Sequence, residues 1–117
     1  MPVLIVYGLP ANTPEIDLKV LIDALKRVTS KAFYDVAPGQ VSVFFNKDLC
    51  DVGLGEEIIV FVQGLYEKPE RTDEVLHGLA VNIAQEVKVR FPDADVECFI
   101  TTQNPKHCHV MHKGGPK

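Results

Sequence analysis

The sequence predicts an α/β domain made of two βαβ units in tandem, with one four-stranded mixed sheet and two helices on one face. Three observations predict this fold. Four short segments are rich in β-branched and aromatic residues and are bounded by glycine or proline. Two longer segments repeat apolar residues at helical spacing. Their order is strand, helix, strand, followed by the same again, so the chain has two similar halves.

The first half begins with a strand over residues 2–7, which are apolar on both faces. A helix is predicted over about 14–31, because leucine, isoleucine and valine recur on one of its sides, with Asn12 or Thr13 as the cap. A proline-glycine pair then breaks the chain. The β-rich residues 40–46 form the predicted second strand.

The second half follows an acidic, glycine-containing stretch over 47–57, which suits an exposed loop or a short hairpin. A third strand is predicted over 58–63, and a connection over 64–69 leads into a helix over about 70–90. Proline and aspartate stop that helix. The fourth strand is predicted over 96–101.

We therefore expect one domain over 1–117, with pseudo-repeats over 2–46 and 58–101 and a tail over 102–117. Right-handed crossovers place both helices on the same side of the sheet. The opposite face is apolar, and nothing in the predicted elements covers it. An uncovered apolar face indicates a partner, and a closed symmetric oligomer is the usual one.

Composition limits the classes of function. The chain has 117 residues, a formal net charge of -4 and a sequence pI near 5.5, so it has no excess of basic residues with which to bind nucleic acid. A small-molecule substrate is expected instead. No apolar run is long enough to span a bilayer, and the start lacks the pattern of a secretory signal.

Cysteine usage favours a reducing compartment. Cys50, Cys98 and Cys108 are odd in number and show no C-x-x-C spacing, which argues against a disulfide framework. The expected location is the cytoplasm.

Pro2 follows the initiator methionine directly. Because a methionine before a small residue is commonly removed, the mature chain is expected to begin with the secondary amine of Pro2. Enclosure by Val3, Phe99 or Ile100 would disfavour the charged form of this amine and lower its pKa toward neutrality. A neutral amine in a fixed direction is a usable general base.

A processed amino-terminal proline at the head of a tandem βαβ chain resembles the tautomerase superfamily, of the 4-oxalocrotonate tautomerase and macrophage migration inhibitory factor type. The segments "PGQVSVFF", "DVGLG" and "PDADVECFITT" resemble its second strand, the glycine-rich segment after it and its last strand. The combination of the segment "VFVQGLYEKP" with a polar tail resembles uncharacterised long-chain bacterial members. The resemblance implies a homotrimer in which Pro2 is the catalytic base at a subunit boundary.

The chain departs from the superfamily pattern at its cationic positions. Members with diacid substrates hold carboxylates with arginines, where this chain has Ala11 or Asn12, and Ser42. An aromatic residue of the family pocket corresponds to a position near Val52, and a lysine of cytokine-like members to one near Val36. Diacid substrates are therefore not expected.

Other residues must supply the binding groups. Arg71, Lys68 and Lys106 are the basic residues close to predicted strand ends, although a solvated surface charge is the preferred interpretation of each. Gln63 and Glu97 fall where longer members line the pocket, and Gln63 could donate to an enolate oxygen, whereas the alternative for both is a side chain that points to solvent. Phe99, next to them on the fourth strand, is expected to contact the substrate.

The tail segment "KHCHVMHKGG" contains His107, Cys108, His109 and His112, which could bind zinc or copper. Their spacing matches no specific zinc motif. In this fold the segment after the fourth strand often reaches a neighbouring subunit, so an interface or a frayed end is the preferred interpretation. No metal and no cofactor are predicted.

The sequence thus favours a keto-enol tautomerase that moves a proton in enol or 2-oxo acid substrates with Pro2 as base. The main alternative is a catalytically silent trimer that keeps the fold and the proline as a binding or structural protein. A metal-binding protein that uses the histidine tail is the third possibility.

Overall fold

The computed structural model describes residues 2–46, 57–104, 106 and 110–115. In chain order the elements are β1 (Val3–Tyr7), α1 (Glu15–Ala32), a 3-10 helix (Pro38–Gln40), β2 (Ser42–Asn46), β3 (Glu57–Tyr66), α2 (Asp73–Arg90) and β4 (Asp95–Gln103). Among the described residues, no helix has the length and apolar character needed to cross a membrane.

The four strands form one mixed sheet in the order β2-β1-β3-β4. β1 is parallel to β2 and β3 is parallel to β4, while β1 and β3 are antiparallel. Each parallel pair is one βαβ unit, and the antiparallel pair joins the two units in the middle of the sheet. The predicted tandem βαβ fold with a four-stranded mixed sheet is confirmed.

The core lies between the sheet and the two helices. Burial alternates along β1 and β3. The side chains that point toward the helices are fully buried: Leu4, Val6, Ile58, Val60 and Val62. The helices supply the opposing layer, which includes Leu21, Leu25, Leu79, Ile83 and Val87. This alternation is what separates a buried sheet face from an open one.

The helix starts differ from the prediction in a physically clear way. α1 is preceded by Pro14, and its N-terminus receives no side-chain cap, so the predicted cap at Asn12 or Thr13 is wrong. The Thr13 hydroxyl donates instead to the Pro10 carbonyl at 2.6 Å, which closes the turn before the helix. At α2 the Thr72 hydroxyl accepts from the backbone N–H of Val75, so the helix begins later than residue 70.

The strands also differ in length. Residues 38–40 form a 3-10 helix, so β2 is shorter than predicted, and β4 runs to Gln103, into the predicted tail. β3 continues past residue 63 through an irregularity between Val62 and Leu65, where Gly64 has a φ of 75°. Of the predicted loop over 47–57, residue 57 belongs to β3 and the remainder lies outside the described residues.

Gly8 ends β1 in a conformation that only glycine adopts readily. Its φ is 87°, and a Cβ on Gly8 would lie 2.1 Å from the carbonyl oxygen of Glu57. The chain can therefore turn off the sheet and pass close to the start of β3 at this position.

The face of the sheet opposite the helices carries an aromatic row. Across the four strands in spatial order, the side chains of Phe44, Ile5, Phe61 and Phe99 are register neighbours. The Phe61 and Phe99 rings are stacked with centroids 5.5 Å apart, and Tyr7 meets Phe61 edge-on at 5.7 Å. Phe44 is 56% exposed and Phe99 47% exposed, so no other described segment covers this row.

Candidate functional site

Three parts of the chain meet at one edge of the sheet, which is formed by the ends of the strands and not by an outer strand. β1 begins at this edge. The crossover through α1 returns the chain there before β2, since β1 and β2 are parallel. β3 runs antiparallel to β1 and therefore ends there, just before α2. The start of the chain, the end of α1 and the β3–α2 connection are thus brought together.

Pro2 lies at the centre of this edge. Its residue is buried, and its carbonyl accepts from the backbone N–H of Ser42 at 3.1 Å, which extends the β1–β2 pairing by one residue. It faces a cavity of about 170 Å³. The described residues that line this cavity are Pro2, Asp35, Val36, Gln40, Gly64, Leu65, Tyr66, Lys68 and Arg71.

Arg71 is the most enclosed cation of the cavity. Its side chain is 5% exposed, and its Nη1 donates to the Tyr66 carbonyl at 2.7 Å. The guanidinium carbon lies 4.9 Å from the centroid of the Phe33 ring, a cation–π arrangement. The surface-charge interpretation of Arg71 is therefore wrong, because this guanidinium is packed in the protein and held in a defined plane.

One donor of Arg71 has no partner. Its Nε is buried and donates to no atom of the described residues. Leaving a buried N–H of a charged group unsatisfied is costly. An oxygen atom of a bound anion is the kind of group that would satisfy it.

Lys68 and Asp35 complete the charges of the cavity. The Lys68 ammonium donates to Asp35 Oδ2 in a short contact, and Arg71 Nη2 reaches the same oxygen at 3.4 Å. The hydrogen bond from Lys68 holds the pKa of the Asp35 carboxyl below its ordinary value. Asp35 is therefore ionised at neutral pH, and among the described residues that line the cavity the two cations with one carboxylate leave a single positive charge.

These groups can perform a limited chemistry. A cation with a free donor can hold a carboxylate, and a neutral amine at Pro2 can accept a proton from a ligand bound between them. About 170 Å³ is small beside the ~300–1,000 Å³ of drug-sized ligand pockets, so the cavity suits a small acid.

The structure brings Pro2, Lys68 and Arg71 together but places Gln63, Glu97, Phe99 and Lys106 elsewhere. Gln63 pairs with Val3 in the register and is exposed on the open face, one residue before the Gly64 that lines the cavity. Glu97 and Phe99 also lie on the open face, on β4, two strands away from Pro2.

Lys106 is exposed after the end of β4. None of these four lines the cavity within one chain. A contribution from them to the site stays a prediction that depends on a second copy of the chain.

Sequence reasoning missed Asp35, Tyr66 and Phe33. Asp35 is 33 residues from Lys68 and 36 from Arg71, so no local motif connects them. The signal that would have found them is the antiparallel pairing of β1 with β3, because that pairing alone places the end of α1 beside the end of β3.

The described residues offer neither a thiolate nucleophile nor a cluster of metal ligands. Burial raises the pKa of the Cys98 thiol to about 12, so this cysteine is not a thiolate at neutral pH. No group of three metal-ligating side chains occurs in the part of the chain that the structure describes. His107, Cys108 and His109 lie outside it, so the absence of a metal site in the tail stays a prediction.

Comparisons with known proteins establish the fold. No protein-family model and no curated protein sequence matches this chain. Solved structures do match, among them a fused 4-OT in an asymmetric trimer, with a TM-score of 0.73 and 18% identity over 92% of this chain and 91% of that one.

Malonate semialdehyde decarboxylase, an enzyme with decarboxylase and hydratase activities, matches with a TM-score of 0.65 and 15% identity over 94% of this chain and 91% of that one. Macrophage migration inhibitory factor of Toxoplasma gondii matches with a TM-score of 0.70 and 10% identity over 95% of this chain and 97% of that one. The identities are low and the coverage is nearly complete, so the likeness concerns the fold. The chain has the fold of the tautomerase superfamily.

Proposed function

We propose that this protein is a tautomerase that moves a proton in small enol or 2-oxo acids, with the amine of Pro2 as general base after removal of Met1. The observation that carries the proposal is the shared cavity of Pro2 and Arg71, in which the buried Nε of Arg71 has no partner among the described residues. Pro2 and a cation that has one unsatisfied donor thus line the same small space.

In the proposed reaction Arg71 holds the carboxylate of the substrate. The neutral Pro2 nitrogen takes the proton from the enol hydroxyl, and the C=C electron pair becomes available at C3 as the C=O bond forms at C2. Pro2 then returns the proton to C3. No atom is gained or lost, so one group suffices as base and acid and no cofactor is needed.

The electrostatic setting supports a neutral amine. Pro2 is buried in the chain that carries Met1, and the described residues that line the cavity include two cations and one carboxylate. Burial and the positive charge of Arg71 and Lys68 disfavour protonation of the amine, whereas Asp35 acts in the opposite direction. The net effect that we expect is a pKa below the ordinary value of about 7.7–8.0 for an amino terminus.

The test is ketonisation of phenylenolpyruvate by protein whose Met1 has been shown by mass spectrometry to be absent. Phenylenolpyruvate carries one carboxylate for Arg71, and its ring would extend out of the cavity. Pro2→Ala is expected to lower kcat/KM by about 10²–10⁴, the contribution of a positioned general base. Arg27→Ala is the matched control, since Arg27 is exposed on α1 and donates only to a backbone carbonyl of its own helix among the described contacts.

Equal turnover by wild type, by Pro2→Ala and by protein that retains Met1 would contradict the proposal. The silent-trimer alternative would then replace it. Because malonate semialdehyde decarboxylase is among the similar structures, release of CO₂ from a small 3-oxo acid is a useful second assay with the same variants.

We also propose that the chain forms a homotrimer in the cytoplasm and binds neither nucleic acid nor membranes. The uncovered aromatic row on the sheet supports an oligomer, and a fused 4-OT of the same fold is a trimer. In such a trimer Glu97, Phe99 and Lys106 of one copy are the candidates to reach the Pro2 cavity of another. The cytoplasmic location rests on the cysteine count.

A further inference from the structure

We propose that Asp35 determines the charge of the substrate. Its carboxylate is already paired with Lys68, so the cavity binds acids with one carboxylate, which contacts Arg71, and excludes acids with two carboxylates. This inference rests on the proposed function, which places the carboxylate of the substrate at Arg71. It adds a residue and a selectivity that the reaction itself does not require.

The two cations differ in what they already bind. Lys68 donates to Asp35 Oδ2 in a short contact, so its charge has an internal counter-ion. Arg71 reaches the same oxygen only through Nη2 at 3.4 Å, and its Nε has no partner among the described residues. Arg71 therefore has donors available for a ligand, and Lys68 has its partner already.

Two donors of Arg71 lie on the edge of the guanidinium that carries Nε: the Nε–H, which has no partner among the described residues, and Nη2, whose contact with Asp35 is long at 3.4 Å. Nε–H and one N–H of Nη2 point the same way and match the two oxygens of a carboxylate. Nη1 is held by the Tyr66 carbonyl, and the guanidinium carbon lies over the Phe33 ring, 4.9 Å from its centroid. The plane of Arg71 is thus fixed before a ligand binds, and one carboxylate has a defined place.

A second carboxylate of the same ligand would have no defined place in the cavity. Among the described lining residues the remaining cation is Lys68, and any anion that approaches it in a cavity of about 170 Å³ comes close to Asp35. Asp35 stays ionised at neutral pH, because the hydrogen bond from Lys68 holds the pKa of its carboxyl below the ordinary value. One bound carboxylate balances the single positive charge of the cavity, whereas a second one adds an uncompensated negative charge.

The test compares propionate with malonate, two three-carbon acids that differ by one carboxylate, in binding titrations at neutral pH. Wild type is expected to bind propionate more tightly. Asp35→Asn keeps the shape of the side chain and removes its charge. It should strengthen malonate binding by about tenfold or more, since one charge–charge interaction at this range is worth at least that much. Propionate binding should change by less.

Glu70→Gln is the matched control. Glu70 is an exposed carboxylate whose side chain accepts from Tyr34 at 3.4 Å, and it does not line the cavity. Its removal should leave the ratio of the two affinities unchanged. Equal gains for propionate and malonate in Asp35→Asn, or a wild type that binds malonate as tightly as propionate, would overturn the proposal.

Lys68→Gln gives an independent test if Asp35→Asn does not fold, as judged by circular dichroism. Without Lys68, Asp35 becomes free to pair with Arg71, so propionate binding should fall by about tenfold. Stronger or unchanged propionate binding would contradict the assignment. Selective propionate binding by a protein that ketonises no enol would support the role of Asp35 while contradicting the proposed function, so the two failures are distinguishable.

Discussion

At the scale of single residues, Arg71 is the group whose environment departs most from its sequence expectation. Its side chain is 5% exposed, its guanidinium carbon lies over the Phe33 ring, and its Nη1 is held by a backbone carbonyl. These contacts use the planar fork of arginine, which lysine lacks. The position therefore requires more than a positive charge.

We predict that Arg71→Lys raises KM for a carboxylate substrate by about 10- to 100-fold, the value of one or two hydrogen bonds between charged groups, with a smaller change in kcat. Steady-state ketonisation kinetics measure this split. Arg27→Lys, on the exposed side of α1, is the control and should keep both constants. A KM of Arg71→Lys equal to that of wild type would mean that the carboxylate binds elsewhere.

At the scale of elements, the turn at Gly8 connects β1 to the helix layer. A side chain there meets the Glu57 carbonyl at 2.1 Å and needs a φ of 87°. We predict that Gly8→Ala lowers the free energy of unfolding by about 2–4 kcal/mol, from the left-handed backbone and the overlap together.

Urea denaturation of Gly8→Ala beside Gly78→Ala measures this effect. Gly78 is inside α2, and a Cβ there meets nothing within 4 Å, so its replacement should stabilise the fold by about 0.5–1 kcal/mol. Equal stabilities for the two variants would contradict the account of the β1 turn.

The elements also show how much of the fold can be predicted from the sequence. Both helices and all four strands were predictable because apolar spacing is a local signal, as in Leu21, Leu25, Leu79 and Ile83. The extension of β3 past Gly64 was not, because a glycine with positive φ reads as a turn until its strand partners are known.

The site was predictable in part for the same reason. Pro2 follows from its place in the sequence, and Arg71 was one of several basic residues near strand ends. Asp35 and Phe33 join them only through the antiparallel pairing of β1 and β3, which no local pattern records.

At the scale of the whole molecule, the two faces of the sheet have different environments. The helices cover one face, and the other presents the row of Phe44, Ile5, Phe61 and Phe99. We predict that the wild type sediments at about three times 13.0 kDa and that Phe44→Lys, which places a charge in this row, dissociates the assembly.

Val89→Lys is the control, because Val89 is 77% exposed on α2, in the helix layer. It should sediment like the wild type. A wild-type monomer at micromolar concentration, or a Phe44→Lys variant that assembles normally, would count against the proposed trimer.

The central claim is that the amine of Pro2 is the base of a cavity whose binding group is Arg71. The most direct measurement is the pH dependence of kcat/KM for ketonisation, which reports the pKa of the free enzyme's base. The account predicts that kcat/KM rises with pH through a pKa below about 7.7–8.0, because burial and two cations favour the neutral amine. The rising limb should be lost in protein that retains Met1. A profile with the same limb and the same rate in the Met1-retaining protein would contradict the claim.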